Sequence, residues 1–118
     1  MKQFLGLMFG VALAALANPV LAADSAGSIT ISAPANGAVL QSDSGNKLDF
    51  NVHLGPNGNH VHIYVDDQNP IVFRDVGHCP CSINLPVLTA GNHTVVVKEA
   101  TASHALTGVE GAVSFSVK

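Results

Sequence analysis

From residue 28 onward the chain alternates apolar and polar side chains with a period of two, which marks strands that bury one face. In SITIS (28–32) Ile29 and Ile31 share a face, and APANG then turns the chain. KLDFNVHL sets Leu48, Phe50, Val52 and Leu54 inward, with Asp49, Asn51 and His53 outward. GPNGN is a turn cluster. HVHIYVD buries Val61, Ile63 and Val65 and sends His60, His62 and Tyr64 to the opposite face. After DQNP comes a short strand, IVFR (71–74). SINLP keeps Ile83 and Leu85 in phase, HTVVVKEA follows the turn LTAGN, and AVSFSVK aligns Val113, Phe115 and Val117. No stretch sustains a helical period. Six or seven short strands separated by Gly, Pro and Asn predict an all-β fold, an antiparallel β-sandwich. A small barrel is the alternative closure.

The N-terminus breaks this pattern. One lysine, the apolar run FLGLMFGVALAALA and small residues around Ala22 read as a secretory signal peptide. The run is short for a membrane span and is ended by Asn18–Pro19. The expected organisation is a signal peptide over 1–22 and one domain over 23–118, located in the periplasm or secreted, with no membrane span in the mature chain. About a hundred residues suffice for one modest core. Five basic and eight acidic residues give a net charge of −3 and no basic cluster, so nucleic acid is a poor partner. No tryptophan and one tyrosine, Tyr64, weaken a sugar-stacking surface. Six histidines, all beyond the leader, are the unusual feature.

Several segments together resemble a known family. ITISAPANGAVL is similar to the opening strand and turn of bacterial secreted immunoglobulin-like modules. HIYVDD resembles their central strand, and LTAGNHTVVVKEA with VSFSV resembles their closing pattern. The resemblance spans nearly all of the mature chain and implies a fold, an immunoglobulin-like antiparallel β-sandwich of about seven strands, rather than a function, because this architecture hosts many roles. HVH and HCPC depart from the generic module and resemble elements of small histidine-containing periplasmic proteins of this type.

His93 in AGNHTVVV is read as a structural histidine that satisfies loop backbone groups. His53 lies on a solvated face, and His104, in the loop ATASHALTGVEG, is unremarkable alone. His60 and His62 differ because of their spacing. Residues two apart on a strand share a face, with Cβ atoms about 6–7 Å apart, and two imidazoles so placed can reach one ion. A polar outer face explains them equally well.

Cys79 and Cys81 flank Pro80 and follow His78. Two cysteines in an exported domain suggest a disulfide. An extended Cys-Pro-Cys would hold the Cα atoms near 6–7 Å, at the edge of relaxed disulfide geometry. A redox pair is conceivable, but the helix start that usually lowers the thiol pKa is missing. Two thiolates beside an imidazole would suit a soft ion, copper first and zinc second.

The leading expectation is therefore an exported metal-binding protein, not an enzyme: a copper carrier or buffer with Cys79, Cys81, His78, His60 and His62 as candidate ligands. The alternatives are a non-catalytic interaction module of the cell envelope, docking another envelope protein through loops and edge strands, and a thiol redox protein using the cysteine pair. Asp66–Asp67 in YVDDQNP reads as a turn rather than a catalytic carboxylate pair.

Overall fold

The computed structural model describes residues 26–42 and 45–118; the leader expected over 1–22 lies outside the described residues. Among the described residues, eight strands run in chain order: β1 (Ser28–Ala33), β2 (Val39–Leu40), β3 (Lys47–His53), β4 (His60–Val65), β5 (Ile71–Phe73), β6 (Cys81–Asn84), β7 (Gly91–Ala100) and β8 (Leu106–Val117). They form two sheets, β1-β3-β6 and β2-β8-β7-β4-β5. All pairings are antiparallel except the short parallel contact of β2 with β8. The all-β sandwich expected from the alternation, immunoglobulin-like as the resemblance implies, is the observed fold.

The period-two pattern accounts for the core. Leu48, Phe50 and Val52 of β3 face Val61, Ile63 and Val65 of β4, Val95 and Val97 of β7, and Val113, Phe115 and Val117 of β8. Phe50 meets Phe73 across the two sheets in an edge-to-face pair, centroids 5.4 Å apart. Leu54, expected inward, is 40% exposed, because β3 ends at His53 and the chain turns there. β8 also begins earlier than the AVSFSVK pattern indicates. Ala100 pairs with Leu106, so β7 and β8 form a long hairpin joined by residues 101–105 alone.

One end of the sandwich is closed by Glu99, a β7 side chain on the core face and only 2% exposed. Its carboxyl accepts hydrogen bonds from the Gly55 N–H (2.8 Å) and the Thr107 hydroxyl (2.6 Å), as a buried carboxyl group must. Two glycines make room for it: a Cβ at Gly58 would stand 2.6 Å from Glu99 Cδ, and one at Gly27 would stand 2.9 Å from Oε2. Glu99 thereby fixes the β3–β4 loop, which leads directly into His60.

Among the described residues, no helix is long and apolar enough to cross a membrane.

Candidate metal centre

β4 carries His60 and His62 on the outer face of the five-stranded sheet, opposite Val61 and Ile63. An outer face is ordinarily wet, yet His60 is fully buried and His62 is 7% exposed. The cover is the β7–β8 loop, which folds back over the sheet. The Thr101 N–H donates to Ala105 O (2.8 Å), the His104 N–H to Thr101 O (2.9 Å) and the Ala105 N–H to Thr101 Oγ1 (3.1 Å). His104 sits in this tight loop with φ of +71°, the left-handed region that a non-glycine residue enters at a cost.

The result is a triangle of imidazole nitrogens. His60 Nε2 is 3.0 Å from His62 Nε2, and each lies 3.2 Å from His104 Nδ1. Three nitrogens bound to one ion at about 2.0–2.1 Å with tetrahedral angles stand about 3.3–3.4 Å apart. The observed separations fall within a few tenths of an ångström of that arrangement. All three ligand atoms belong to one cluster able to hold an ion.

The surroundings favour neutral, metal-ready imidazoles. His60 Nδ1 donates to Asn59 Oδ1 at 2.9 Å, which leaves Nε2 with its lone pair. Tyr64 Oη lies 3.5 Å from His62 Nδ1. Burial, then the Arg74 guanidinium, then the other two imidazoles hold the His60 pKa below its usual value. Burial, then His104, then Arg74 do the same for His62.

The cysteine half of the expected site is elsewhere. Cys81 pairs with Phe50 in the three-stranded sheet and packs into the core, whereas His60 and His62 lie on the outer face of the other sheet. Cys79 and Cys81 are joined by a disulfide. The bond before Pro80 is cis and the Cα atoms stand 4.2 Å apart, nearer than in an extended segment. In this form neither sulfur is a thiolate, so the expectation of two soft ligands is corrected. His78 is also no partner. Its exposed side chain points to Asp75 Oδ1 at 3.6 Å. The five candidate ligands therefore do not form one set: His60 and His62 come together with His104, while Cys79, Cys81 and His78 stay apart. His104, a loop histidine unremarkable alone, supplies the third nitrogen of the triangle. It lies 44 residues from His60, and only the pairing of β4 with β7 followed by the β7–β8 hairpin brings the two together.

His93 has the structural role expected of it. Nε2 donates to Thr89 O (2.6 Å) and Nδ1 to Asp66 Oδ2 (2.7 Å), tying the turn after β4 to the start of β7. With both ring nitrogens donating, the imidazolium is the matching form. The Asp66 hydrogen bond and the Thr89 carbonyl raise the His93 pKa against the effect of burial.

No protein-family model matches the chain, and no curated protein matches it. Solved structures do. The chain is similar to the fibronectin(III)-like modules of Clostridium thermocellum CbhA, with a TM-score of 0.56 and 19% identity over 76% of this chain and 95% of that one. It is also similar to part of the extracellular domain of BT4673 from B. thetaiotaomicron, with a TM-score of 0.50 and 14% identity over 72% of this chain and 12% of that one. At these identities the likeness establishes a fibronectin III-like, immunoglobulin-type sandwich and nothing about chemistry.

Proposed function

We propose that this protein is an exported, non-catalytic binding module whose His60, His62 and His104 hold one transition-metal ion, copper first and zinc second. The observation that carries the reading is the nitrogen triangle with sides of 3.0–3.2 Å, formed by two buried imidazoles and a third delivered by a strained loop residue. Imidazole ligands suit both metals, and copper(II) precedes zinc in affinity for nitrogen donors. Three protein ligands leave further positions open, so a partner can take the ion by ligand exchange, as a carrier or buffer requires.

Calorimetric titration of the mature domain with copper(II) and with zinc tests this. His60→Ala, His62→Ala and His104→Ala should each weaken uptake by about 100-fold or more, whereas His78→Ala and the Cys79→Ser/Cys81→Ser pair should leave it unchanged. Equal uptake by wild type and the three histidine variants would discard the reading.

A second reading, an interaction module of the cell envelope, is favoured by the fibronectin III-like neighbours, among them part of an extracellular domain. The open cleft lined by Val65, Ile71, Leu85, Val87 and Leu88, with Val87 67% exposed, is where such a contact would form. That reading predicts that partner capture survives loss of all three ligand histidines.

A further inference from the structure

We propose that the metal ion on His60, His62 and His104 takes a small anion, a carboxylate above all, as an additional ligand, and that Arg74 supplies the anion's counter-charge. The inference rests on the metal reading above and extends it to the open coordination position.

The placement of Arg74 follows from strand register. Val61 pairs with Phe73, His62 with Val72 and Ile63 with Ile71 across β4 and β5. Arg74 is the residue directly after Phe73, where β5 ends, so continuing the register would set it beside His60. Its charge acts on both buried imidazoles. Arg74 is exposed and, among the described residues, no carboxylate lies within ion-pair distance of it. The other cation on this face, Lys98, pairs across the ladder with His62. It is already engaged, with Nζ 4.0 Å from Glu110 Oε1 and 5.3 Å from the Tyr64 ring centroid.

The electrostatics then conflict unless an anion enters. Neutral imidazoles contribute no charge, and the ligand cluster contains no carboxylate. A bound dication would stand near a guanidinium that has no carboxylate partner among the described residues, and the two like charges repel even though solvent screens the exposed arginine in part. An anion in the open position neutralises both. A carboxylate does so best, because one oxygen can meet the metal while the other accepts from the planar guanidinium fork. By linkage, whatever factor the metal adds to anion affinity, the anion adds to metal affinity.

The test uses the copper(II)-loaded mature domain in perchlorate, a non-coordinating medium, titrated with azide and read by the azide-to-copper charge-transfer absorption. Acetate is then added as a competitor. Wild type should show saturable azide binding that acetate displaces. Arg74→Gln should bind azide and acetate about tenfold more weakly, yet take up copper in perchlorate alone as tightly as wild type or more tightly. Arg74→Lys should keep azide binding and lose most of the preference for acetate. Equal azide affinity in wild type and Arg74→Gln overturns the proposal, as does a loaded wild type that takes no anion while copper binding stands. A wild type that takes up no copper removes the metal reading itself, an outcome visible before any anion is added.

Discussion

Asn59 Oδ1 accepts a hydrogen bond from His60 Nδ1 at 2.9 Å, and that contact decides which nitrogen of His60 faces His62 and His104. Asn59 is itself held by its backbone, whose N–H donates to Ala100 O at 2.9 Å. The neutral ring can carry only one proton, so a donor at Nδ1 is a lone pair at Nε2.

Asn59→Ala should therefore weaken copper and zinc binding by about 10–100-fold, the usual consequence of losing a partner that orients a ligand histidine. The side chain is exposed, so the melting temperature without metal should barely change. Calorimetry alongside thermal denaturation separates the two effects. Unaltered metal affinity would show that Asn59 does not orient the ring.

The sandwich was legible because alternation and burial are coupled by the strand period itself. Val61, Ile63 and Val65 had to face one way and His60 and His62 the other, whatever the rest of the chain did. The third histidine was not legible. His104 reaches the site because β7 and β8 pair in register and the intervening loop folds back, and no local pattern encodes that. The Cys-Pro-Cys element misled for a local reason. Distances along an X-Pro step depend on the isomer of one bond, which the residue types leave open. Leu54 misled more simply, since alternation does not reveal where a strand stops.

Glu99 ties the β3–β4 loop to the hairpin, so changes there should reach His60 through the backbone. Glu99→Gln replaces one acceptor with a donor opposite the Gly55 N–H or the Thr107 hydroxyl. It should cost about 1–3 kcal/mol. Gly58→Ala drives a methyl group into the Glu99 carboxyl and should cost about 1–3 kcal/mol by overpacking. Denaturant melts of the metal-free protein measure both. A neutral Gly58→Ala would mean that the loop can move away, and that Glu99 does not fix it.

His104 separates function from fold because its backbone conformation is disfavoured for any residue with a Cβ. His104→Gly removes the ligand and relieves the left-handed strain together. Its stability without metal should equal or exceed that of wild type by up to about 1 kcal/mol, while metal affinity should fall by about 100-fold. Stabilisation by added zinc, large in wild type, should vanish in the variant. A clearly destabilised His104→Gly would make the imidazole a structural plug rather than a ligand.

The Asp66–His93 pair sets a pH window for the fold, separate from the His60–His62–His104 triangle. Burial raises the Asp66 pKa, but the hydrogen bonds from His93 and from the Thr94 N–H outweigh it, and the net shift is downward from 3.8. The His93 pKa is shifted upward from 6.5. A depressed carboxyl contributes stability that is present above its unfolded value and lost as pH falls through the folded one. A raised imidazole contributes stability that is full below 6.5 and lost as pH rises through its folded pKa. The pair therefore stabilises most between 3.8 and 6.5. His60 and His62, shifted downward, act in the opposite sense as pH falls below 6.5, so only a difference measurement isolates the pair. Asp66→Asn provides it. Asparagine tolerates the φ of +54° at this position and can still accept from the Thr94 N–H, and a neutral His93 can still donate to Thr89 O. The stability lost in Asp66→Asn should be about 1 kcal/mol near pH 5, since Asp66 is partly exposed and its ion pair partly screened. That loss should shrink as pH rises above 6.5 and wild-type His93 deprotonates. Denaturant melts of both proteins at half-unit pH steps give the curve, and a difference independent of pH would show that the two side chains do not titrate as a pair.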